Sequence, residues 1–289
     1  MLASIPSPSS GTIEIGPLPL HAYGLLLAVG VIVATRIAER RWVRRGQDRE
    51  AFADLVVWVV ISGVVGARVY HLFTGYDWDQ DGLVGTVKIW EGGLSIWGVL
   101  GGGVLSLVVL ARVKHLDLLV LTDCCAPGVL AAQAIGRWGN WFNQELYGRP
   151  TDLPWALEID PAHRVAPYLD EATFHPTFLY ESLYCALLLA AILFVDRRFR
   201  LRRGQMTALY FAGYTFGRFF FENLRVDPAE EILGLRVNAW VTLILFVASS
   251  AWFVWLARRG RPYPEPRSDA GSISEASRGR PFPERERRV

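Results

Sequence analysis

The stretch from Gly136 to Pro150, GRWGNWFNQELYGRP, crowds two arginines, two asparagines, a glutamine, a glutamate and three glycines onto the end of a long apolar run. That run, Leu116 to Ile135, predicts a membrane-spanning helix, so Arg137 falls at or inside the membrane edge. An arginine at the centre of a spanning helix costs roughly 2.5–3.5 kcal/mol on insertion scales, and some of that persists toward the interface. Arg137 and Asn140 are three residues apart and share a helix face. Arg137 has no acidic residue within four positions along this helix, which leaves its charge available to an anion. Gly136, Gly139 and Gly148 remove side chains where backbone and substrate could approach closely. The chemistry suggested is a pocket for an anionic headgroup. The same residues also fit an interfacial helix end with a tryptophan belt and a snorkelling arginine.

The rest of the chain must hold these residues in a bilayer. Of its 289 residues 52% are hydrophobic, and the mean hydropathy is +0.24. Seven apolar segments of spanning length are expected: about Leu18–Ile37, Phe52–Phe73, Leu94–Arg112, Leu116–Ile135, Phe178–Val195, Met206–Phe221 and Val237–Ala257. The predicted class is an all-α polytopic membrane protein with seven transmembrane helices. Arginine-rich connections after the first, third, fifth and seventh spans alternate with acidic ones such as Asp77, Asp79 and Asp81. The positive-inside rule then puts the N-terminus outside and the C-terminus inside. Residues 1–17 form an extracytoplasmic segment without the basic start of a signal peptide. Residues 18–257 form the membrane domain, and within it 138–177 form a small extracytoplasmic head. Residues 258–289, rich in Arg, Pro, Ser and Glu, read as a disordered cytoplasmic tail.

A net charge of +2 gives no basis for nucleic-acid binding. Cys124, Cys125 and Cys185 all fall in apolar segments and read as packing thiols. No Cys/His spacing resembles a zinc site, and no metal or cofactor is expected. Asp123, four residues before Pro127, is expected to satisfy backbone freed by that proline or to pair internally. Gly101-Gly102-Gly103 suggests close helix packing.

With that topology the polar residues of six spans gather in one leaflet: His21 and Tyr23, Arg68 and His71, Trp97, Arg137 and Asn140, His175, and Arg218 with Glu222. Independent anchors would decorate both faces of the membrane. One-sided crowding favours a site open to the outer leaflet, although Arg218 and Glu222, four apart, also fit a structural ion pair. A passage for an anionic lipid or solute would use the same arginines, but no internal repeat supports it. A membrane scaffold with every polar group paired internally is the third reading.

These stretches, in this order, resemble the prolipoprotein diacylglyceryl transferase family: LHAYG at Leu20–Gly24, GARVY at Gly66–Tyr70, WEGGL at Trp90–Leu94, GRWGNWFNQELYG at Gly136–Gly148, HPTFLYE at His175–Glu181 and GYTFGRFFFE at Gly213–Glu222. The resemblance implies a bacterial plasma-membrane enzyme. It would move the diacylglyceryl group of phosphatidylglycerol onto the lipobox cysteine thiol of a preprolipoprotein, forming a thioether and releasing glycerol 1-phosphate. It also implies roles by position. Arg137 and Arg218 would grip the phosphodiester. Asn140 and Tyr23 would orient headgroup or peptide, Glu145 would order its loop or pair with an arginine, and Gly148 would allow a turn. Glu222 would hold Arg218, while His175, Tyr214 and Trp97 would line the substrate. Many family members carry a histidine, proposed as the base, where this chain has Trp97, which cannot accept a proton. His175, Glu145, a lipid phosphate or no dedicated base then remain open.

Overall fold

The structure, a computed structural model, describes residues 4–15, 18–75, 82, 85–86 and 95–264. Among these lie seven long helices: α1 Ala22–Arg44, α2 Arg49–Thr74, α3 Ile96–Val113, α4 Leu118–Phe142, α5 Thr177–Arg198, α6 Gln205–Leu224 and α7 Val237–Arg259. Six are long and apolar enough to cross a membrane, and α6 is the exception. This is an all-helical, multi-pass membrane architecture. Asp77, Asp79 and Asp81 of the acidic connection after the second span and the WEGGL stretch, like residues 265–289, fall outside the described residues.

Two boundaries depart from expectation in ways that matter. The apolar run from Leu18 does not begin a helix. Leu18–His21 is strand β2, paired antiparallel with β1, Thr12–Ile15, and α1 starts at Ala22. In the other direction, α4 does not stop at Ile135. It continues through Arg137 and Asn140 to Phe142, because Glu181 on the next helix accepts Arg137 and Glu145, just past the helix end, accepts Asn140.

α4 is the central helix, and half of its apolar window is buried. It packs against α1, α5 and α6, while α2 pairs closely with α3. That second pairing relies on missing side chains: a Cβ on Gly102 would sit 2.2 Å from the Ser62 carbonyl oxygen, whereas one on Gly101 would meet nothing within 4 Å. The glycine run therefore serves packing chiefly through its middle member. Cys124 and Cys185 are buried and all three thiols are free.

At one end of the bundle the arginine-rich connections are tied down. Asp123, fully buried, accepts hydrogen bonds from the backbone N–H of Gly204 (2.6 Å) and Thr207 (2.7 Å). It thus caps the first turn of α6, whose own N-cap Gly204 (φ +85°) offers no side chain. The backbone it satisfies is that of another helix and not that around Pro127, which sits inside an unbroken α4. Tyr263 donates to the same carboxylate at 2.6 Å, with the Arg45 guanidinium over its ring. The expected tail 258–289 is therefore packed as far as it is described: Arg258 and Arg259 complete α7, and Arg203 N–H donates to the Arg261 carbonyl.

At the other end, the α4–α5 connection carries two short strands, β3 Leu157–Glu158 and β4 Thr173–Phe174. Buried Tyr147, Leu157, Ile159, Phe174 and Phe178 form a small core beneath it. The N-terminal segment crosses this core, with Ile5 bridged to Leu157. The α6–α7 connection contributes strands β5 Glu231–Ile232 and β6 Leu235–Arg236.

Candidate active site

The last two turns of α4, the first turns of α5 and the second half of α6 meet at the end that carries the α4–α5 connection. On α6, Tyr214, Arg218 and Glu222 recur every four residues and form one stripe. The Arg137 guanidinium reaches across from α4 to the carboxylate of Glu181 on α5 (2.7 Å) and to the Tyr214 hydroxyl (3.4 Å). Arg218 shares the same carboxylate at 3.2 and 3.3 Å and pairs with Glu222 at 2.5 Å. Glu181 thus bridges the two arginines. This corrects the expectation that Arg137 lacks an acidic partner: the partner lies on another helix, beyond the reach of a search along one.

Glu222 is the second hub. Fully buried, it also faces Arg225 (3.4 Å), Arg236 (3.4 Å) and the Asn238 amide (3.2 Å). Arg225 forms a two-pronged pair with Asp227 at 2.7 and 2.9 Å, and Arg236 adds a contact of 2.8 Å. Burial pushes the Asp227 carboxyl up, but the hydrogen bonds and charges of Arg225 and Arg236 outweigh it and hold the group below its usual range. Four arginines thus meet three carboxylates, with one formal positive charge in surplus. The inner side chains Arg225 and Arg236 are 7% and 8% exposed, while Arg137 and Arg218 retain 17% and 16%. The outer pair can meet a ligand, and the inner pair holds the scaffold.

Glu145 forms a separate cluster just beyond α4. One carboxylate oxygen accepts from both Asn140 (2.9 Å) and Asn143 (3.1 Å). It orders its loop through these amides and pairs with no arginine among the described residues. Its neighbours Gln144 (φ 51°) and Leu146 (φ 59°) both adopt left-handed backbone that non-glycine residues rarely occupy. Such strain persists only where surroundings enforce it. Here Gln144 is clamped to Asp160 (2.6 and 2.8 Å) and the Leu146 carbonyl accepts from Thr177 (2.5 Å). Tyr23 lies flat against Gly139, where any Cβ would fall 1.8 Å from its ring. It stands within electrostatic reach of both Glu145 and Arg137 and so joins the two clusters.

Other expected residues lie apart from the ion network. Gly148 packs against His175, with a backbone hydrogen bond of 2.9 Å to its carbonyl, and takes part in a short β-bridge to Arg225. The His175 ring meets the Tyr180 hydroxyl at 3.1 Å, and burial lowers its pKa. Trp97 sits at the first turn of α3, 66% exposed. It belongs neither to the Glu181 network nor to the Glu145 cluster.

The sequence reading did not single out Glu181, Arg225, Arg236 and Asp227. Glu181 carried a usable signal: it is an ionisable residue inside an otherwise apolar run from Thr177 to Val195. Arg225, Arg236 and Asp227 sit in what reads as an ordinary polar connection, and only the fold brings them under Glu222.

Comparison with known proteins shows the family. The family model for prolipoprotein diacylglyceryl transferase matches residues 10–255. A phosphatidylglycerol–prolipoprotein diacylglyceryl transferase of Frankia alni is 48% identical over 92% of this chain and 71% of its own length. One from Streptomyces griseus is 48% identical over 93% of this chain and 83% of its own. A Streptomyces coelicolor protein of the same name, numbered 2, is 49% identical over 89% and 82%. With the motifs, the bundle and the paired arginines already in view, a match of this length leaves one conclusion: the chain belongs to the prolipoprotein diacylglyceryl transferase family.

Proposed function

We propose that this protein transfers the diacylglyceryl group of phosphatidylglycerol to the lipobox cysteine of preprolipoproteins at the outer leaflet of a bacterial plasma membrane. The observation that carries the reading is the pair of guanidiniums, Arg137 and Arg218, drawn from two helices onto one buried carboxylate. In the reaction the cysteine sulfur attacks the glycerol carbon that bears the phosphate. The carbon–sulfur bond forms, the carbon–oxygen bond breaks, and its electron pair leaves on the phosphate of glycerol 1-phosphate. Charge grows on that phosphate as the bond breaks, so cations fixed in advance beside it lower the barrier. Arginine suits the task, because its planar fork can hold two phosphate oxygens at once. Glu181 keeps both forks aimed, and the single surplus charge of the network is the one a phosphodiester anion would neutralise. Asn140 and Tyr23 orient the substrates from the Glu145 side. The thiol proton goes to a group other than Trp97, whose indole has no basic lone pair.

The same reading sets the topology. The arginine-rich end, with Arg45, Arg203 and Tyr263, faces the cytoplasm, and the α4–α5 connection faces outward as a small head. α6 is the remaining span, sixth in chain order. Its polar stripe lies inside the bundle, which offsets its lower apolarity. A passage for an anionic solute is less well supported, since the charged groups are locked to one another at one end.

The test uses purified protein, phosphatidylglycerol and a lipobox peptide. Mass spectrometry should detect diacylglyceryl addition at the cysteine and release of glycerol 1-phosphate. A well-folded protein that leaves the peptide unmodified under these conditions overturns the assignment.

A further inference from the structure

Beside the Glu145 cluster lies a polar cavity of about 400 Å³ that none of the arginines of the ion network lines. Thr12 and His21 come to it from the β1–β2 hairpin, Asn143 and Glu145 from the end of α4, and His163 from the α4–α5 connection. Its walls are built, not incidental. The Gly11 carbonyl accepts from Ala22 N–H (2.9 Å) and the His163 carbonyl from the Tyr147 hydroxyl (2.9 Å). Thr12 and His21 hold each other through Oγ1 and Nδ1 (3.3 Å). Glu145 spends one oxygen on two asparagines, and its other oxygen takes no hydrogen bond among the described residues.

Resting on the transferase reading above, we infer that this cavity is the port for the polar residues that follow the acceptor cysteine of the protein substrate. Among the described residues no arginine or lysine lines it, and Glu145 brings a negative charge, which disfavours a phosphate or lipid headgroup. A carboxylate, a hydroxyl, an amide and two imidazoles instead offer the mixed acceptors and donors that a peptide backbone needs. The position fits as well. The sulfur must reach a lipid carbon at membrane depth, while the chain beyond the cysteine returns to water. Glu145 and Tyr23 connect the cavity to Arg137 along that path. The volume lies within the usual range for ligand sites of roughly 300–1,000 Å³.

The experiment uses the full chain in phosphatidylglycerol vesicles and a lipobox peptide with three residues beyond the cysteine, the second carrying a benzophenone. Irradiation should place adducts on the segments Gly11–His21 and Phe142–His163, whether or not turnover occurs. In parallel, His163→Ala and Thr12→Val should each raise the peptide KM about 3- to 10-fold, the loss of one hydrogen bond. The KM for phosphatidylglycerol and kcat should stay unchanged. A peptide ending at an amidated cysteine should not distinguish these variants from the parent. Adducts confined to other segments, or a peptide KM equally affected with the truncated peptide, overturn the port. So would a change in product inhibition by glycerol 1-phosphate without a change in peptide KM, which would make the cavity a phosphate exit. Absence of any lipidation would instead remove the transferase reading itself.

Discussion

Replacing Glu181 by glutamine separates aiming from binding at the arginine pair. The carboxylate is 3% exposed and takes Arg137 at 2.7 Å and Arg218 at 3.2 Å. Glutamine keeps its shape but not its charge. A hydrogen bond to a charged acceptor contributes about 1.5–3 kcal/mol, and a neutral one about 0.5–1.5. The substitution therefore weakens the hold on each arginine by about 1–2 kcal/mol, or roughly 2–4 kcal/mol for the two. If that hold is used fully in the transition state, kcat falls about 30- to 1,000-fold. Binding should move the other way. The network gains one positive charge, so an anionic lipid is held no less tightly and the KM for phosphatidylglycerol should not rise. The assay is turnover per folded molecule in mixed micelles, with folding followed by melting in detergent. A low kcat with an unchanged or lower KM supports the aiming role. Near-normal kcat in a folded Glu181→Gln protein, or a loss that merely tracks the folded fraction, would refute the reasoning.

Three further outcomes are expected. Arg137→Lys keeps a charge but loses the fork that spans Glu181 and Tyr214, so turnover per folded molecule should drop about ten- to several-hundred-fold; a rate within threefold of the parent would argue against phosphate contact. Tyr263→Phe removes a hydrogen bond to the buried Asp123 carboxylate and should lower stability by about 1.5–3 kcal/mol, visible as a reduced Tm, while truncation after Pro264 should leave Tm and transfer unchanged. Asp227 has a depressed carboxyl pKa, so the stability it contributes is complete above the unfolded value near ~3.9 and is lost as pH falls through the lower folded value. The Tm of the parent should therefore drop more steeply below about pH 4 than that of Asp227→Asn, and equal slopes would contradict the assignment.

How far the sequence spoke depended on whether the physics was local. Six spans were legible because hydropathy over a helix length is a local property, and α6 was legible as a helix, though it is not apolar enough to count among the candidate spans. The two misplaced boundaries have non-local causes. Leu18–His21 is apolar enough for a helix but pairs with Thr12–Ile15. Arg137 reads as the end of a span because the carboxylate that lets the helix continue comes from α5. The Arg218–Glu222 contact was legible at its spacing of four, but it is one edge of a larger network. Glu222 was expected to serve Arg218 alone, and in the fold it also faces Arg225 and Arg236, which arrive by way of the α6–α7 connection.

The same network accounts for how α6, the one long helix not apolar enough by length and composition to count as a membrane span, can carry an arginine inside the bundle. It is held at both ends, by a carboxylate from α4 at its N-terminus and through its own Glu222 carboxylate, gripped by arginines, at its C-terminus. At its N-terminus the buried Asp123 of α4 accepts from Gly204, Thr207 and Tyr263, and its charge sits where the helix dipole is positive. At its C-terminus Glu222 is fixed by Arg225 and Arg236, which are themselves fixed by Asp227. Arg218 lies one turn inside that second anchor, so its position is set by a helix that has little freedom to slide or rotate. A guanidinium on a lipid-facing loop would have to be ordered anew with each substrate. One mounted on a doubly anchored helix is in place before the substrate arrives, which is the condition under which a fixed charge lowers a barrier rather than merely binding an anion.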